Sequence, residues 1–175
     1  KMTKEWMDSA RAIMTTDTFP KGMSVTSMIE GKKVTITGIS KGSGMIEPNM
    51  ATMLGFIFID ADLGSEILNK LLKENISYSF NSISVDGDES TNDTVILAST
   101  RAIKFKKPIK NVSDKRIIDF KKKLKKVFMK LSELIVRDGE GATKLIEINV
   151  LNARNERDAN TFAKSIANSP LVKTA

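Results

Sequence analysis

The chain has 175 residues, of which 41% are hydrophobic and 28% charged, a composition typical of folded globular proteins. It contains no cysteine and no histidine, which excludes disulfides, thiolate metal sites and the usual base of acyl-transfer chemistry. No apolar run is long enough to span a bilayer, and no signal segment opens the chain, so we expect a cytoplasmic protein of one or two domains. We expect no structural metal and no bound cofactor.

The first part of the chain predicts a helix, a hairpin and a buried strand. Residues 4–14 carry apolar side chains at helical spacing. Residues 24–29 and 33–39 alternate apolar and polar side chains around Glu30-Gly31, which predicts a β-hairpin. The continuous apolar run at residues 53–59 favours a buried strand.

The middle of the chain is more ambiguous. Ser65 is expected to begin a helix that runs through Leu72, and residues 80–85 alternate apolar and polar side chains. Ser90-Thr-Asn-Asp93 resembles a capping box, which favours a helix over a strand at residues 94–100. The β-branched side chains of that stretch leave a strand open.

Most of the net charge of +7 lies in a lysine-rich segment that Ser113 or Asp114 caps and that ends near Arg137. Its apolar residues recur at helical spacing, so the lysines occupy the opposite face of the predicted helix. Such a face is either a solvated surface or a polyanion-binding surface. The single Trp and single Tyr both lie outside this helix, where they cannot supply stacking platforms for bases along it. The solvated face is therefore favoured, with no nucleic-acid or membrane partner.

The end of the chain continues the alternation of helices and strands. After the glycine-bracketed loop at residues 138–143, residues 144–151 predict a strand. Asn155 or Asp158 then opens a helix through Ala167, and residues 169–175 read as a turn followed by the start of a strand. The fold class is mixed α and β. Neither end of the chain has the character of a natural terminus, so we expect a longer protein.

The loop at residues 41–52 has the pattern of a self-cleaving junction. It is punctuated by glycines, and Ala51 and Thr52 stand directly before the buried strand. The Thr52 hydroxyl would attack the Ala51 carbonyl, and cleavage would leave Thr52 with both a nucleophile and a free α-amine that titrates near ~7.7–8.0. A lysine, a carboxylate or this amine could serve as base. The alternative is a threonine that merely begins a strand. A phosphate-binding loop is a weak alternative, because the Gly-Lys-Ser/Thr ending is missing and the loop leads into a strand rather than a helix.

Other loop residues offer polar groups to a ligand. Glu140 lies between two glycines and would bind a substrate ammonium, tune a nearby amine, or be an exposed turn residue. Lys41 is either an anchor for a carboxylate or a surface lysine. Thr15, Thr16 and Thr18 would donate hydrogen bonds to a ligand or cap turns.

These segments together resemble the ornithine acetyltransferase, or glutamate N-acetyltransferase, family of arginine biosynthesis. The matching blocks are spread over nearly the whole chain: Ile13-Met-Thr-Thr-Asp-Thr-Phe-Pro20, Lys41-Gly-Ser-Gly-Met-Ile-Glu-Pro-Asn-Met-Ala-Thr-Met-Leu54, Val85-Asp-Gly-Asp-Glu-Ser-Thr-Asn-Asp-Thr94, Val136-Arg-Asp-Gly-Glu-Gly-Ala-Thr-Lys144 and Ala167-Asn-Ser-Pro-Leu-Val-Lys-Thr174. The resemblance implies a layered αββα sandwich, incomplete in this chain. Residues 1–62 would end an N-terminal domain and residues 63–175 would belong to a second α/β domain.

The resemblance also implies a reaction. The precursor would cleave itself between Ala51 and Thr52 into α and β chains that stay associated, expected as a heterotetramer. Thr52 would then carry an acetyl group from N-acetylornithine to glutamate, with its α-amine as base, and acetyl-CoA is a possible second donor. Thr18, Lys41, Thr52 and Glu140 match the substrate-contacting positions of the family.

Part of the family's site has no counterpart in this sequence. The Thr-Gly pair that supplies the oxyanion hole and the C-terminal substrate-binding residues lie outside it. Losing one oxyanion donor typically costs about 10²–10³ in rate, so this span alone is expected to be inactive. Two other functions are kept as alternatives: a basic polyanion-binding module with a structural glycine loop, and a related N-terminal-nucleophile hydrolase or acyltransferase acting on another acylated amine.

Overall fold

The computed structural model describes residues 2–44, 53–87 and 92–174, which contain a four-stranded mixed sheet. The strands are β1 (Lys21–Ile29), β2 (Lys32–Lys41), β3 (Leu54–Ala61) and β4 (Thr94–Ile103), in that spatial order. The first three strands are antiparallel, whereas β4 runs parallel to β3. Residues Lys21, Lys41, Leu54 and Thr94 therefore lie at the same end of the sheet.

The predicted hairpin is confirmed. Strands β1 and β2 pair from Lys21↔Ser40 to Ile29↔Lys32, so only Glu30 and Gly31 form the turn. Both turn residues have positive φ angles, 50° and 73°. Two consecutive left-handed residues form the tight turn whose twist matches that of the strands, and glycine adopts this conformation without steric cost.

The helices are α1 (Lys4–Ala12), α2 (Ser65–Ser77), α3 (Ile118–Arg137), α4 (Glu156–Ala167) and α5 (Pro170–Thr174). The first four confirm the helices predicted from apolar spacing, and the Asn155 side chain caps α4 by accepting from the Asp158 N–H. Asp114 caps the short 3₁₀ turn at Lys115–Ile117 that leads into α3. Within the described residues, no helix is both long enough and apolar enough to cross a membrane.

The core lies between the sheet and α3. Helix α3 buries one apolar face against β1 and β2 and leaves its lysines on the other side. Strand β3 alternates, so that Ile57 and Ile59 are buried in this core. Phe58 lies on the opposite face of the sheet, where Trp6 of α1 contacts it with ring centroids 5.4 Å apart. The mixed α and β class is confirmed, and one sheet with a helical layer is what an incomplete αββα sandwich provides.

The helix expected at residues 94–100 is wrong, because this stretch forms strand β4. Its β-branched residues fit a pleated surface, and the backbone of residues 94–99 pairs with β3 from Leu54↔Thr94 to Ile59↔Ser99. Helix α2 lies between β3 and β4 in the chain, as a parallel crossover requires. The ladder with a neighbouring strand outweighed the local capping signal, part of which falls on residues 90 and 91, outside the described residues.

Two further local predictions are wrong. Residues 144–151 form no strand, since nothing in the described part of the chain pairs with them. Residues 170–174 form helix α5, which Pro170 begins, because the fixed φ of proline suits a first helical position. The alternating segment that starts at Phe80 begins as a 3₁₀ turn, and the Phe80 ring packs edge-on against Phe128 of α3.

Close contact between β2 and α3 at Gly38 gives a stability prediction. A Cβ atom at this position would lie 2.7 Å from Leu131 Cδ1 and 3.2 Å from both Ile57 and Val127. These neighbours are fully buried and have little room to move. We expect Gly38→Ala to destabilise the protein by about 1–3 kcal/mol, as overpacking does, measured by urea unfolding.

The matched control is Gly64→Ala at the start of α2. Nothing lies within 4 Å of a Cβ built there, and its φ of −74° suits any residue. We expect a change of only a few tenths of a kcal/mol, since alanine is a poorer N-cap than glycine. Equal effects of the two substitutions would contradict the close contact at Gly38.

Candidate active site

A buried ionic cluster lies at the end of the sheet where β1 begins and β2 ends. The Lys21 ammonium donates to Asp17 Oδ1 and to Asp138 Oδ2, each at 2.5 Å. The side chains of Lys21 and Asp17 have no exposed surface, and that of Asp138 is 2% exposed. Buried charges are tolerated only when they are paired and hydrogen-bonded, so this cluster fixes the relative position of the turn at residues 15–20 and the end of α3.

Asp17 connects this cluster to the start of the glycine loop. Its Oδ1 also accepts the Gly42 N–H at 2.7 Å, and its Oδ2 accepts the Thr15 N–H at 3.2 Å. Gly42 has a φ of 146°, a backbone conformation that side chains with a Cβ rarely adopt. The glycine at this position therefore lets the chain turn out of β2 while its N–H points at the carboxylate.

Asp138 connects the cluster to Thr18, one of the predicted site residues. The Thr18 N–H donates to Asp138 Oδ2 at 2.9 Å, and the Thr18 hydroxyl donates to Asp138 Oδ1. Thr18 is itself exposed. The buried Asp138 carboxylate thus holds Thr18 in place on its protein side, while its solvent side is open to a ligand.

Lys41, the predicted carboxylate anchor, is the last residue of β2 and is only 6% exposed. Its ammonium donates to Thr15 Oγ1 at 3.2 Å. In the part of the chain that the structure describes, no carboxylate lies within ion-pair distance of this ammonium. Lys41 is therefore a largely buried cation whose described partner is a neutral hydroxyl, a situation that favours binding an anion.

Glu140 follows Asp138 in the loop after α3 and lies against the glycine loop. Its N–H donates to the Ser43 carbonyl at 2.6 Å, and the Ser43 hydroxyl lies 2.6 Å from Thr16 Oγ1. A Cβ at Gly44 would be 2.9 Å from Glu140 Oε2, so the Glu140 carboxylate lies directly against Gly44. The exposed Glu140 carboxylate consequently lies beside the segment that leads toward Thr52.

The structure brings Thr18, Lys41 and Glu140 into one network at one end of the sheet. Ala51 and Thr52, the predicted cleavage site, lie outside the described residues. Met53, the next residue, is buried, and its N–H donates to Asp93 Oδ1 at 2.6 Å. The Met53 carbonyl accepts the Thr94 N–H at 3.0 Å, so the chain just after the predicted nucleophile is fixed on both sides.

Sequence reasoning missed three residues of this arrangement: Asp17, Lys21 and Asp138. It assigned Asp93 to a helix cap, whereas the Asp93 carboxylate accepts the Met53 N–H. Each of the three missed residues looks like an ordinary turn or surface residue in the sequence, since Lys21 follows a proline and the aspartates stand beside turn residues. Asp17 and Asp138 fall inside the blocks that resemble the acetyltransferase family, which is the signal that could have drawn attention to them.

The two buried aspartates remain ionised in the folded protein. Burial raises the pKa of Asp17, but the Gly42 N–H and the Lys21 ammonium outweigh it and hold the pKa below its ordinary value. Burial likewise raises the pKa of Asp138, but the Lys21 ammonium and the two Thr18 donors outweigh it and lower that pKa below its ordinary value. Both carboxylates therefore stabilise the fold in their charged form.

These shifts predict an acid-sensitive fold. Carboxylates with a lowered pKa in the folded state contribute stability that is present above the unfolded pKa of about 3.9 and is lost as pH falls through the folded values. We expect the free energy of unfolding, followed by urea titration, to fall over that window. Asp17→Asn should reduce the pH dependence there, whereas Asp8→Asn, at an exposed surface pair with Arg11, should leave it unchanged. The same pH dependence in Asp17→Asn and in the parent would contradict the assignment.

The fold and the cluster together define a mixed α/β protein with a polar network at one end of its sheet, and comparison with known proteins names the family. The model of the ArgJ family matches residues 1–175. The chain belongs to the ArgJ family.

Individual relatives agree with this assignment. The chain is 48% identical over 172 residues to the arginine biosynthesis bifunctional protein ArgJ of Brucella suis biovar 1, covering 97% of this chain and 42% of that protein. It is 51% identical over 168 residues to the protein of the same name from Caldanaerobacter subterraneus subsp. tengcongensis, covering 96% and 41%. The chain thus spans about two fifths of the length of these curated relatives.

A solved structure also matches. The crystal structure of the arginine biosynthesis bifunctional protein ArgJ from Bacillus halodurans superposes with a TM-score of 0.64 at 38% sequence identity. The match covers 70% of this chain and 56% of that one.

Proposed function

We propose that the full-length protein containing this chain is a glutamate N-acetyltransferase of arginine biosynthesis, which moves an acetyl group from N-acetylornithine to glutamate. The observation that carries this proposal is the network that joins Thr18, Lys41 and Glu140 beside the loop leading to Thr52. The names of its relatives, arginine biosynthesis bifunctional proteins, agree with this chemistry. The lysine face of α3 carries no comparable arrangement, and the polyanion-binding alternative is not favoured.

The first proposed step is self-cleavage. The Thr52 hydroxyl attacks the Ala51 carbonyl, the peptide C–N bond breaks, and the acyl group moves to the oxygen as an ester. Water then hydrolyses this ester, leaving a carboxylate on Ala51 and a free α-amine on Thr52. The hydrogen bonds of the Met53 N–H and carbonyl hold the residue that follows the proposed junction.

The second step is acetyl transfer. The Thr52 α-amine takes the hydroxyl proton while the oxygen attacks the acetyl carbonyl of N-acetylornithine; the amide C–N bond breaks, and ornithine leaves with the proton on its nitrogen. The α-amine of glutamate then attacks the acetyl ester, and the Thr52 hydroxyl is regenerated. An amine with a pKa near ~7.7–8.0 suits this proton transfer at neutral pH.

Lys41 and Glu140 supply opposite charges for an amino-acid substrate. We assign the substrate α-carboxylate to Lys41, because its ammonium is largely buried and its described contact is only the Thr15 hydroxyl. We assign a substrate amino group to Glu140, whose carboxylate is exposed above Gly44. Thr18 contacts the substrate from the same network.

The remaining parts of the proposal concern the whole protein. After cleavage, the α and β chains stay together and assemble as a heterotetramer in the cytoplasm, without a resident cofactor. Acetyl-CoA is a possible second donor. The division of the chain into residues 1–62 and 63–175 as parts of two domains stays a prediction.

The test is an assay of glutamate acetylation by the purified full-length protein with each donor supplied separately. Transfer from N-acetylornithine, together with an intact mass that shows a chain beginning at Thr52, is the expected result. Release of free acetate without transfer to glutamate would instead indicate a hydrolase. Absence of any reaction with N-acetylornithine would overturn the proposal.

A further inference from the structure

We infer that Asp138, held by Lys21, is a positioning residue that makes Thr18 a hydrogen-bond acceptor, so that Thr18 recognises a nitrogen-bound hydrogen of the substrate. This inference rests on the proposed function and adds to it the direction of one substrate contact. A threonine hydroxyl has one hydrogen and two lone pairs, so the direction depends on where that hydrogen goes.

The carboxylate of Asp138 takes the hydrogen of Thr18. Three donors surround it: the Thr18 hydroxyl at Oδ1, and the Thr18 N–H at 2.9 Å and the Lys21 ammonium at 2.5 Å, both at Oδ2. A carboxylate beside a buried ammonium and two further donors is charged, and a charged carboxylate only accepts hydrogen bonds. The Thr18 hydroxyl therefore donates inward, toward the buried side.

What Thr18 presents to a ligand follows from this. Its oxygen keeps its lone pairs while its only hydrogen is engaged, and the residue is exposed. Toward a ligand Thr18 can accept a hydrogen bond and cannot donate one. A substrate N–H or ammonium is matched to this position, whereas a carboxylate or carbonyl oxygen is mismatched. Thr18 thus selects for nitrogen, and Lys41 in the same network selects for a carboxylate.

Lys21 and Asp17 keep this arrangement in place. Lys21 neutralises Asp138 from the buried side and is itself held by Asp17, which also binds the Gly42 N–H next to Lys41. The same contacts therefore set both the orientation of the Thr18 hydroxyl and the position of Lys41 at the end of β2. The consequence is one position that accepts a substrate hydrogen bond and one that binds a substrate anion, both held by the same contacts.

The main test compares Thr18→Val with Thr18→Ser in the full-length enzyme. For N-acetylornithine, we expect Thr18→Val to lower kcat/KM about tenfold, the effect of one hydrogen bond, and Thr18→Ser to restore most of it. Two substrate analogues identify the accepted hydrogen: an acetyl ester in which oxygen replaces the amide N–H, and N-acetylnorvaline, which lacks the side-chain amine. The Thr18→Val penalty should disappear for one of the two.

Controls separate this contact from a structural effect. Thr26→Val, at an exposed position of β1, should leave kcat/KM unchanged. A Thr18→Val penalty of the same size for N-acetylornithine and for both analogues would overturn the inference, because Thr18 would then contact no nitrogen. If the parent enzyme fails to transfer acetyl from N-acetylornithine at all, the proposed function fails first and this inference falls with it.

Asp138→Asn provides a second, independent measurement. If Asp138 acts through Thr18, the effects of Asp138→Asn and Thr18→Val on kcat/KM should not multiply. The double variant should then be about as active as the less active of the two single variants. Multiplication of the two effects would overturn the positioning role. Should Asp138→Asn fail to fold, the Thr18 variants and the substrate analogues still decide whether Thr18 accepts a hydrogen bond from the substrate, without which the positioning role of Asp138 falls.

Discussion

Replacing Thr52 by alanine in the full-length protein is expected to abolish both self-cleavage and acetyl transfer. The proposed chemistry uses the Thr52 hydroxyl twice, first against the Ala51 carbonyl and then against the acetyl group. Removing the hydroxyl nucleophile of an acyl-transfer enzyme costs on the order of 10⁶ in turnover. Intact mass spectrometry should show one uncut chain, and incubation with N-acetylornithine should add no acetyl group to it.

Thr52→Ser is the matched control, since serine supplies the same hydroxyl and, after cleavage, the same α-amine. We expect this variant to cleave and to accept an acetyl group, at a reduced rate. A Thr52→Ala protein that still breaks between residues 51 and 52 would show that the cut is made by another agent. A cleaved parent that gains no acetyl group would separate the processing from the proposed catalysis.

Lys21→Met should produce the largest loss of stability among the described residues of the site. Methionine approximates the length of lysine but leaves Asp17 and Asp138 facing each other without a cation, and both side chains are nearly inaccessible to water. Removing one partner of a buried ion pair destabilises proteins by roughly 3–5 kcal/mol, because the remaining charge is left uncompensated. Urea unfolding at neutral pH measures this loss.

Lys122→Met tests whether the effect belongs to the buried position. Lys122 is exposed on α3, so the same substitution there should change the free energy of unfolding by less than about 0.5 kcal/mol. Equal losses for the two variants would mean that Lys21 contributes no more than a surface lysine. A Lys21→Met protein as stable as the parent would contradict the buried ionic cluster.

The sequence alone predicted elements whose signals are local. Helix α3 was foreseeable because its apolar residues repeat at helical spacing, and the hairpin because Glu30-Gly31 separates two alternating runs. Strand β4 was missed because its structure depends on pairing with β3, about 40 residues away in the chain at matched positions such as Leu54↔Thr94. A local capping pattern carries no information about such a partner.

In the candidate site, too, the residues with a local signal were predicted from the sequence, and those that depend on distant partners were not. Thr18, Lys41 and Glu140 were named from a family resemblance and from their glycine-rich surroundings. Nothing in the sequence indicated that Lys21 and Asp138, 117 positions apart, form an ion pair. Lys21 and Asp138 hold the candidate site in position because they are buried, and they are buried only when α3 packs onto the sheet.

The buried cluster also constrains how this protein can change over evolution. Lys21 bridges two carboxylates that come from distant parts of the chain, so replacing Lys21 leaves both carboxylates uncompensated where water cannot reach them. Replacing either aspartate takes a charged acceptor away from Lys21 and from a neighbouring N–H group, that of Gly42 or of Thr18. No single substitution gives an apolar or a differently charged version of this cluster in which every buried polar group keeps its partner. Positions 17, 21 and 138 should therefore persist together or be replaced together as lineages diverge, even though none of the three is proposed to contact the substrate.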